Sequence, residues 1–318
     1  MNSTQGSRNI FVTGGAGFIG SHLVSTLTSQ GHRVTVYDNL VSSREGWPTR
    51  GLPEQDFSFI RADLLDQDAL GKAMKGHDVV WHLAANTDIP GGNAITDLDL
   101  KNCTVATRNV LESMRQASIK ELLFSSSACV YGDGALQPVD ESFGPLMPIS
   151  LYGAGKLACE GLISAYSHLF GIRSWVFRFA NVVGSGMGHG VIHDCIAKLK
   201  TNGSELAILG DGAGQKPFFL VEDCIEGMLC AYDNSDEQCG VYNLGCESST
   251  RISRVAQIVT EEMALKNVEF NYRGGARGWP GDAPVVQFNT SKMKKLGWEA
   301  RGSSDDAVRA ATRRLLDE

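Results

Sequence analysis

Thr13-Gly14-Gly15-Ala16-Gly17-Phe18-Ile19-Gly20 is the stretch whose reading decides the fold of this chain. It follows the apolar run Asn9-Ile10-Phe11-Val12, which reads as a buried parallel strand. It leads into Ser21-His22-Leu23-Val24-Ser25-Thr26-Leu27, where Leu23 and Leu27 stand four apart, as on one helix face. Strand, glycine turn and helix in that order form the first half of a dinucleotide-binding unit. The spacing assigns a tight turn to Gly14, close approach of backbone to a pyrophosphate to Gly17, and helix packing to Gly20. Phe18 and Ile19 fall at the start of the helix, where free N–H groups and the helix dipole face a phosphate. Val34-Thr35-Val36-Tyr37-Asp38 reads as the second strand, ending on a carboxylate 18 residues after Gly20. A carboxylate there accepts from a ribose 2′-hydroxyl and repels a 2′-phosphate, so the two signals together predict NAD rather than NADP.

The rest of the chain suits that beginning. Its 318 residues are enough for one large domain or two sharing a core, and 42% apolar with 20% charged residues is ordinary for a globular enzyme. A formal charge of −7 argues against nucleic acid or an anionic membrane as the main partner, since both call for basic patches. The segment Met1–Ser7 is polar without a signal-peptide pattern, and no apolar run approaches the ~18 residues of a membrane span. The eight cysteines show no Cys-x-x-Cys pair or other metal-ligand spacing, so they read as small buried side chains in a reducing compartment. The expectation is a cytoplasmic enzyme without a structural metal.

Strand and helix alternate from the glycine turn onward. Residues 41–56 read as a surface loop, Phe57–Ile60 as a strand, Asp66–Lys75 as a helix and Asp78–Leu83 as a strand. A helix over 102–116, the strand Glu121–Phe124, a helix over 150–170 and the strand Arg173–Phe179 follow. This predicts an α/β fold with a doubly wound parallel sheet of Rossmann type, in which ligands sit beyond the C-terminal strand ends. The loops at Gly14, Asp63, Ala84 and Ser125 all leave such ends. Past Asn181 the pattern changes. A glycine-rich loop over 184–190, a helix at 191–201 and a strand at 206–209 follow; the helix at 221–232 and the strand at 241–244 are expected to return to the main sheet, and the helix at 252–264 with the strand at 267–272 suggests a smaller second α/β domain. The boundary is expected near 180, residues 1–180 forming the NAD domain, with about 217–248 returning to it.

Chemistry is concentrated at Tyr152-Gly153-Ala154-Gly155-Lys156, which puts a phenol and an ammonium one helical turn apart. A tyrosine titrates near pH ~10, so a general base working near pH ~7 needs its pKa lowered by roughly 3, about 4 kcal/mol. Lys156 and a positively charged nicotinamide would favour the phenolate and supply much of that. From the serine cluster Ser125-Ser126-Ser127, the last would hydrogen-bond a substrate hydroxyl and hand its proton towards Tyr152.

With these residues in view, the chain resembles the extended short-chain dehydrogenase/reductases, and within them the nucleotide-sugar 4-epimerases of the UDP-galactose 4-epimerase kind. The matching stretches are Thr13–Gly20, Asp38-Asn39, Asp63-Leu64, His82–Ala85, Ser125–Ala128, Tyr152 with Lys156, Arg178 with Asn181, and Gly210–Gly212, in family order along nearly the whole chain. The resemblance implies that Asp38 and Asn39 hold the adenosine ribose side of NAD. It also implies that Asp63 and Leu64 flank the adenine, and that Ala84, Ala85 and Asn102 line the cofactor site. Asn181 and the loop after it, with His189 and Val191, would hold the sugar diphosphate, and residues 181–318 would be mainly the nucleotide-sugar domain. Homodimerisation through the 102–116 and 150–170 helices is likewise implied.

The resemblance further implies the reaction: hydride leaves C4 of a UDP-sugar as Tyr152 takes the hydroxyl proton, the 4-keto sugar turns over, and the hydride returns to its other face. Many UDP-sugar members carry Arg after the Gly-Asp-Gly turn and immediately before a Pro-Gly-Asp triplet. Here those places hold Lys216 and Trp279, with Arg277 two residues before Trp279. Lys216 and Arg277 are therefore the candidate diphosphate cations, although lysine lacks the bidentate fork. Related dehydratases have an Asp-Glu pair where this chain has Ala128-Cys129, which removes their acid and base. The loop Gly184–Gly190 has no Arg or Lys to meet a uronate, which favours a neutral hexose over a UDP-glucuronate 4-epimerase. The alternatives are a 3,5-epimerase using Cys129 and His189, a net oxidoreductase of the same fold, and a non-catalytic NAD-binding sensor.

Overall fold

A computed structural model of the chain describes residues 6–42, 57–134 and 138–318. The loop expected over 41–56 lies outside the described residues from residue 43 onward, as do the first five residues of the N-terminal segment. The elements begin β1 (Asn9–Thr13), α1 (Phe18–Ser29), β2 (Arg33–Asp38), β3 (Phe57–Arg61), α2 (Gln67–Ala73), β4 (Val79–His82) and α3 (Ile89–Ala94). There follow α4 (Ala106–Ala117), β5 (Glu121–Ser127), α5 (Leu151–Phe170), β6 (Arg173–Phe179), β7 (Asn181–Val183), α6 (Val191–Thr201) and β8 (Glu205–Leu209). The remainder is β9 (Gln215–Lys216), β10 (Phe218–Leu220), α7 (Val221–Asn234), β11 (Cys239–Leu244), β12 (Thr250–Arg251), α8 (Ile252–Glu262), β13 (Glu269–Arg273), α9 (Ser291–Lys295) and α10 (Ser304–Leu316).

Seven strands form one sheet in the order β11-β6-β5-β4-β1-β2-β3, the doubly wound Rossmann arrangement with one strand added. β1 is its pivot: Ile10 is paired in parallel with Val34 of β2 on one side and Val79 of β4 on the other. In a sheet of this order the C-terminal end of the pivot strand is where a ligand crevice is expected.

By compactness the chain divides into two units. The first comprises Met1–Ser126, Gly155–Phe177 and Ser235–Val241, and the second Ser127–Ala154, Arg178–Asn234 and Tyr242–Glu318. Of the segment 217–248, only Ser235–Val241 counts with the first unit; α7 counts with the second. The first unit's core joins Phe11, Val80, Leu122 and Phe124 of the strands to Val110, Leu111 and Met114 of α4 and Ile163 of α5. Each such side chain contributes about 1.5–3 kcal/mol by leaving water. In the second unit α8 packs against α6 and α10, and β13 pairs in parallel with β8 and β10 with β7.

The helix expected over 102–116 departs from α-helical register at its start. Leu100–Val105 form a π-helical turn, and α4 proper begins at Ala106. The wider turn shifts Asn102 and Cys103 around the axis relative to the 3.6-residue pattern. Helix α10 has no counterpart among the expected elements. Its buried stripe is Ala307, Val308, Ala311, Thr312 and Leu315, small residues among charges, and a capping box from Ser303 and Asp306 starts it.

Candidate active site

The glycine turn follows β1, at the pivot of the sheet. Gly14 has φ +70°, and a Cβ there would stand 2.5 Å from the Ala84 nitrogen on the loop leaving β4, so conformation and space both require glycine. A Cβ on Gly20 would overlap the Gly14 carbonyl oxygen and come within 2.7 Å of the Gly15 Cα. Gly15, unassigned from the sequence, is held bare by both methyls of Val36, 2.8 Å from where its Cβ would be. Gly17 differs: among the described residues its only such neighbour is the Gly14 oxygen at 3.3 Å. The protein itself asks little of that position, whereas a ligand pressed against the backbone would ask for glycine. Helix α1 then begins at Phe18, with Gly17 as an N-cap that supplies no side-chain cap, and with no acidic residue in its first turn. A helix start without a side-chain cap or an acid in its first turn, with its positive dipole end, fits a pyrophosphate.

Asp38 ends β2 beside this turn. Its Oδ2 accepts from the Ala16 N–H (3.0 Å) and its Oδ1 from the Leu40 N–H (2.8 Å). The carboxylate thus also ties the glycine turn to β2, a task its spacing does not reveal, and each oxygen retains a second lone pair for a ribose hydroxyl. Asn39 Nδ2 donates to Asp63 Oδ2 (3.1 Å), and the buried Tyr37 hydroxyl donates to the Asp63 carbonyl (3.1 Å). Burial, with Asp66 and Asp63 adding, pushes the Tyr37 hydroxyl up to about 12, so it stays a donor. Leu64 is buried and its carbonyl takes a hydrogen bond from Asn109. Asp38, Asn39, Asp63 and Leu64 are therefore brought together at the ends of β2 and β3. Ala84 and Ala85 follow β4, with the Ala84 N–H on Thr13 Oγ1 (3.4 Å), and Asn102 sits half-buried on the π turn.

Tyr152 and Lys156 lie one turn apart on α5. Lys156 is buried, donates to the Ser125 carbonyl at 2.5 Å and stands 4.7 Å over the Phe124 ring. Near it His82, wholly buried, lies between the hydroxyls of Thr13 (2.6 Å) and Thr107 (3.0 Å). Burial first, then the Lys156 charge, pushes its imidazole down to about 3, so it is neutral and offers one donor and one acceptor to its two hydroxyl partners. The serine cluster divides its work. Ser125 gives its carbonyl to Lys156, and Ser126 donates to the buried carboxylate of Glu160 (2.5 Å). Ser127 Oγ accepts from the Cys129 N–H (3.2 Å), and its own proton has no acceptor among the described residues. Ser127 and Tyr152 are both half-buried. The roles that sequence reasoning missed are those of Thr13, Thr107, His82 as their partner, and the Ser125 carbonyl; Thr13, His82 and Ser125 stand within quoted stretches, whereas Thr107 carried no sequence signal.

In the second unit Asn181 opens β7, its N–H on the carbonyl of Pro217, the neighbour of Lys216. His189 is exposed and Val191 starts α6, where Gly190 (φ +102°) takes the cap position and supplies no side-chain cap. Lys216 and Arg277, 61 residues apart, meet at one segment. Lys216 Nζ binds Asp282 Oδ1 (2.7 Å) and the Ala283 carbonyl, and Arg277 Nη1 donates to the Asp282 carbonyl (2.8 Å). Arg277 also grips Asp133 with both terminal nitrogens (3.0 and 2.7 Å). Asp133 gave no sequence signal.

A seven-stranded sheet in this order, a glycine-turn helix after its first strand, a carboxylate ending the second strand and a Tyr/Lys pair one turn apart define an NAD-dependent Rossmann enzyme of the extended short-chain dehydrogenase/reductase type. Residues 10–245 match the model of the NAD dependent epimerase/dehydratase family, and the chain belongs to that family. A crystallised UDP-galactose 4-epimerase superposes with a TM-score of 0.87 at 36% identity, over 97% of this chain and 99% of its own. The UDP-glucose 4-epimerase 2 of Oryza sativa subsp. japonica is 31% identical over 334 residues, covering 96% of this chain and 81% of its own length. A variant of UDP-glucuronic acid 4-epimerase from Bacillus cereus, in complex with UDP-4-deoxy-4-fluoro-glucuronic acid and NAD, superposes with a TM-score of 0.85 at 27% identity, over 97% of this chain and 99% of its own. The chain is an NAD-dependent enzyme whose relatives include UDP-sugar 4-epimerases and UDP-glucuronic acid decarboxylases. No helix among the described residues is long and apolar enough to cross a membrane.

Proposed function

We propose that this enzyme interconverts the C4 epimers of a UDP-hexose of the UDP-glucose/UDP-galactose type. The observation that carries the reading is the buried Lys156, fixed by the Ser125 carbonyl one turn beyond Tyr152, in a strand–helix unit whose cofactor cradle suits NAD. The N–H groups at the start of α1 would hold the pyrophosphate, with Asp38 and Asn39 on the ribose side, Asp63 and Leu64 at the adenine, and Ala84, Ala85 and Asn102 lining the rest. Bound NAD supplies a reversible hydride acceptor. Tyr152 accepts the C4 hydroxyl proton, directly or through Ser127, and gives it back after the sugar has turned. Lys156 is an immobile positive charge that favours the phenolate. Lys216 and Arg277 supply charge for the diphosphate, and Asn181, His189 and Val191 border it.

Two features of the sequence narrow the chemistry. Ala128-Cys129 offers no acid–base pair for dehydration, and Gly184–Gly190 offers no cation for a uronate, unlike what the Bacillus cereus neighbour's ligand would call for. The cysteine spacing, without a paired or metal-ligand pattern, goes with a reducing, cytoplasmic setting. Exposed Val105, Leu169 and Phe170, on the π turn and at the end of α5, support pairing of these helices in a homodimer.

The test is proton NMR of UDP-galactose with the purified enzyme in D2O and no added NAD. UDP-glucose that keeps protium at C4 is the expected product. Deuterium entering C3 or C5 of the sugar would instead move the chemistry to Cys129 and His189.

A further inference from the structure

The two cations assigned to the diphosphate are both engaged with carboxylates of their own unit. Asp133 lies in a 3₁₀ segment, Ala128–Gly134, that directly follows Ser127. It is placed there by Gly132, whose backbone (φ +61°, ψ −142°) is open only to glycine and whose Cβ would overlap the Met147 carbonyl oxygen. From that position Asp133 takes the whole terminal edge of the Arg277 guanidinium, Oδ1 on Nη1 at 3.0 Å and Oδ2 on Nη2 at 2.7 Å. This edge, with two parallel N–H donors, is the one that grips phosphate as readily as carboxylate. The pair is partly exposed, with side-chain exposures of 40% and 45%, so opening it costs only about two- to fivefold in an equilibrium constant. Arg277 holds the Asp133 carboxyl below its ordinary range, so it is charged at neutral pH.

The geometry points to Asp133 as a built-in competitor for the substrate diphosphate: it occupies the bidentate edge of Arg277 in the substrate-free enzyme and yields it when phosphate arrives. This rests on the nucleotide-sugar reading above. Arg277 is thereby held extended and oriented before substrate binds, rather than free to fold elsewhere, and binding becomes an exchange of one anion for another. The Asp282 carbonyl, on Nη1 at 2.8 Å, stays as the anchor during that exchange.

The experiment is calorimetric titration of the NAD-loaded enzyme with UDP, using wild type, Asp133→Asn, Arg277→Gln and the double variant. Asp133→Asn keeps the side chain's shape and removes its charge, so UDP should bind about two- to fivefold more tightly. In the Arg277→Gln background the same change should bring no gain, because there is no fork left to release. Equal or weaker UDP binding by Asp133→Asn would overturn the inference and leave the nucleotide-sugar reading intact. A gain that persists without Arg277 would overturn it too, since removing a negative charge anywhere near the site would then suffice. A wild-type enzyme that binds NAD but no UDP would sink the nucleotide-sugar reading, and this inference with it.

Discussion

Gly17→Ala separates what the glycine turn does for the fold from what it does for the cofactor. At Gly20 an added methyl would collide with backbone on two sides, and at Gly14 the left-handed φ adds strain. At Gly17 the backbone is extended (φ −77°, ψ 178°), and the new Cβ would meet one oxygen at 3.3 Å, a few tenths of an ångström inside ordinary contact. Relief of that contact is offset by the smaller entropy of an unfolded chain carrying alanine, worth about 0.4–1 kcal/mol. Cofactor-free stability should therefore change by less than about 1 kcal/mol. If the pyrophosphate lies against this residue, the methyl occupies its space, an overpacking cost of about 1–3 kcal/mol that weakens NAD binding roughly five- to 150-fold. Urea unfolding of the cofactor-free protein measures the first quantity and titration with NAD the second. Gly20→Ala should lower both. Unchanged NAD affinity in Gly17→Ala, or a loss of stability as large as that of Gly20→Ala, would refute the assignment.

Other changes probe the remaining parts. Tyr152→Phe should abolish turnover of the nucleotide sugar while leaving NAD bound, and full retained activity would remove Tyr152 from the proton path. Asp38→Asn keeps one acceptor for the Ala16 N–H but removes the charge that repels a 2′-phosphate, so the ratio of NAD to NADP affinity should fall severalfold; an unchanged ratio places the discrimination elsewhere. His82 is neutral in the fold, with its pKa pushed down to about 3 from the 6.5 of an unfolded chain. The unfolded state therefore binds the extra proton, and this stability is complete above pH ~6.5 and is lost as pH falls towards 3. At pH 5 the loss is roughly 2 kcal/mol, so unfolding at pH 7 and pH 5 should differ less in His82→Gln than in wild type by about that amount; parallel pH dependences would contradict it.

Much of this architecture is written in local sequence because its signals are local. A continuous apolar run, three spaced glycines and a helix face are set by sterics and hydrogen bonding within some fifteen residues, and they yield β1, the turn and α1 without reference to the rest. The alternation of later strands and helices, ending at Phe179, follows from the same periodicities. The Tyr152–Lys156 spacing is likewise local, since one turn of any helix brings the two onto one face. Where patterns are weak, local reading fails. The stripe of α10 has only Val308 and Leu315 as larger apolar side chains, and the π turn before α4 breaks the 3.6-residue rhythm. What tertiary structure alone decides is partnership. Nothing in the order of residues says that Ser126 answers to Glu160 while Ser125 gives its carbonyl to Lys156, or that His82 is sealed between Thr13 and Thr107. Nor does it say that Arg277 would close on Asp133, 144 residues away. Those pairings depend on which strand ends and loops the fold makes neighbours, and a hydrogen bond depends on that neighbourhood rather than on distance along the chain.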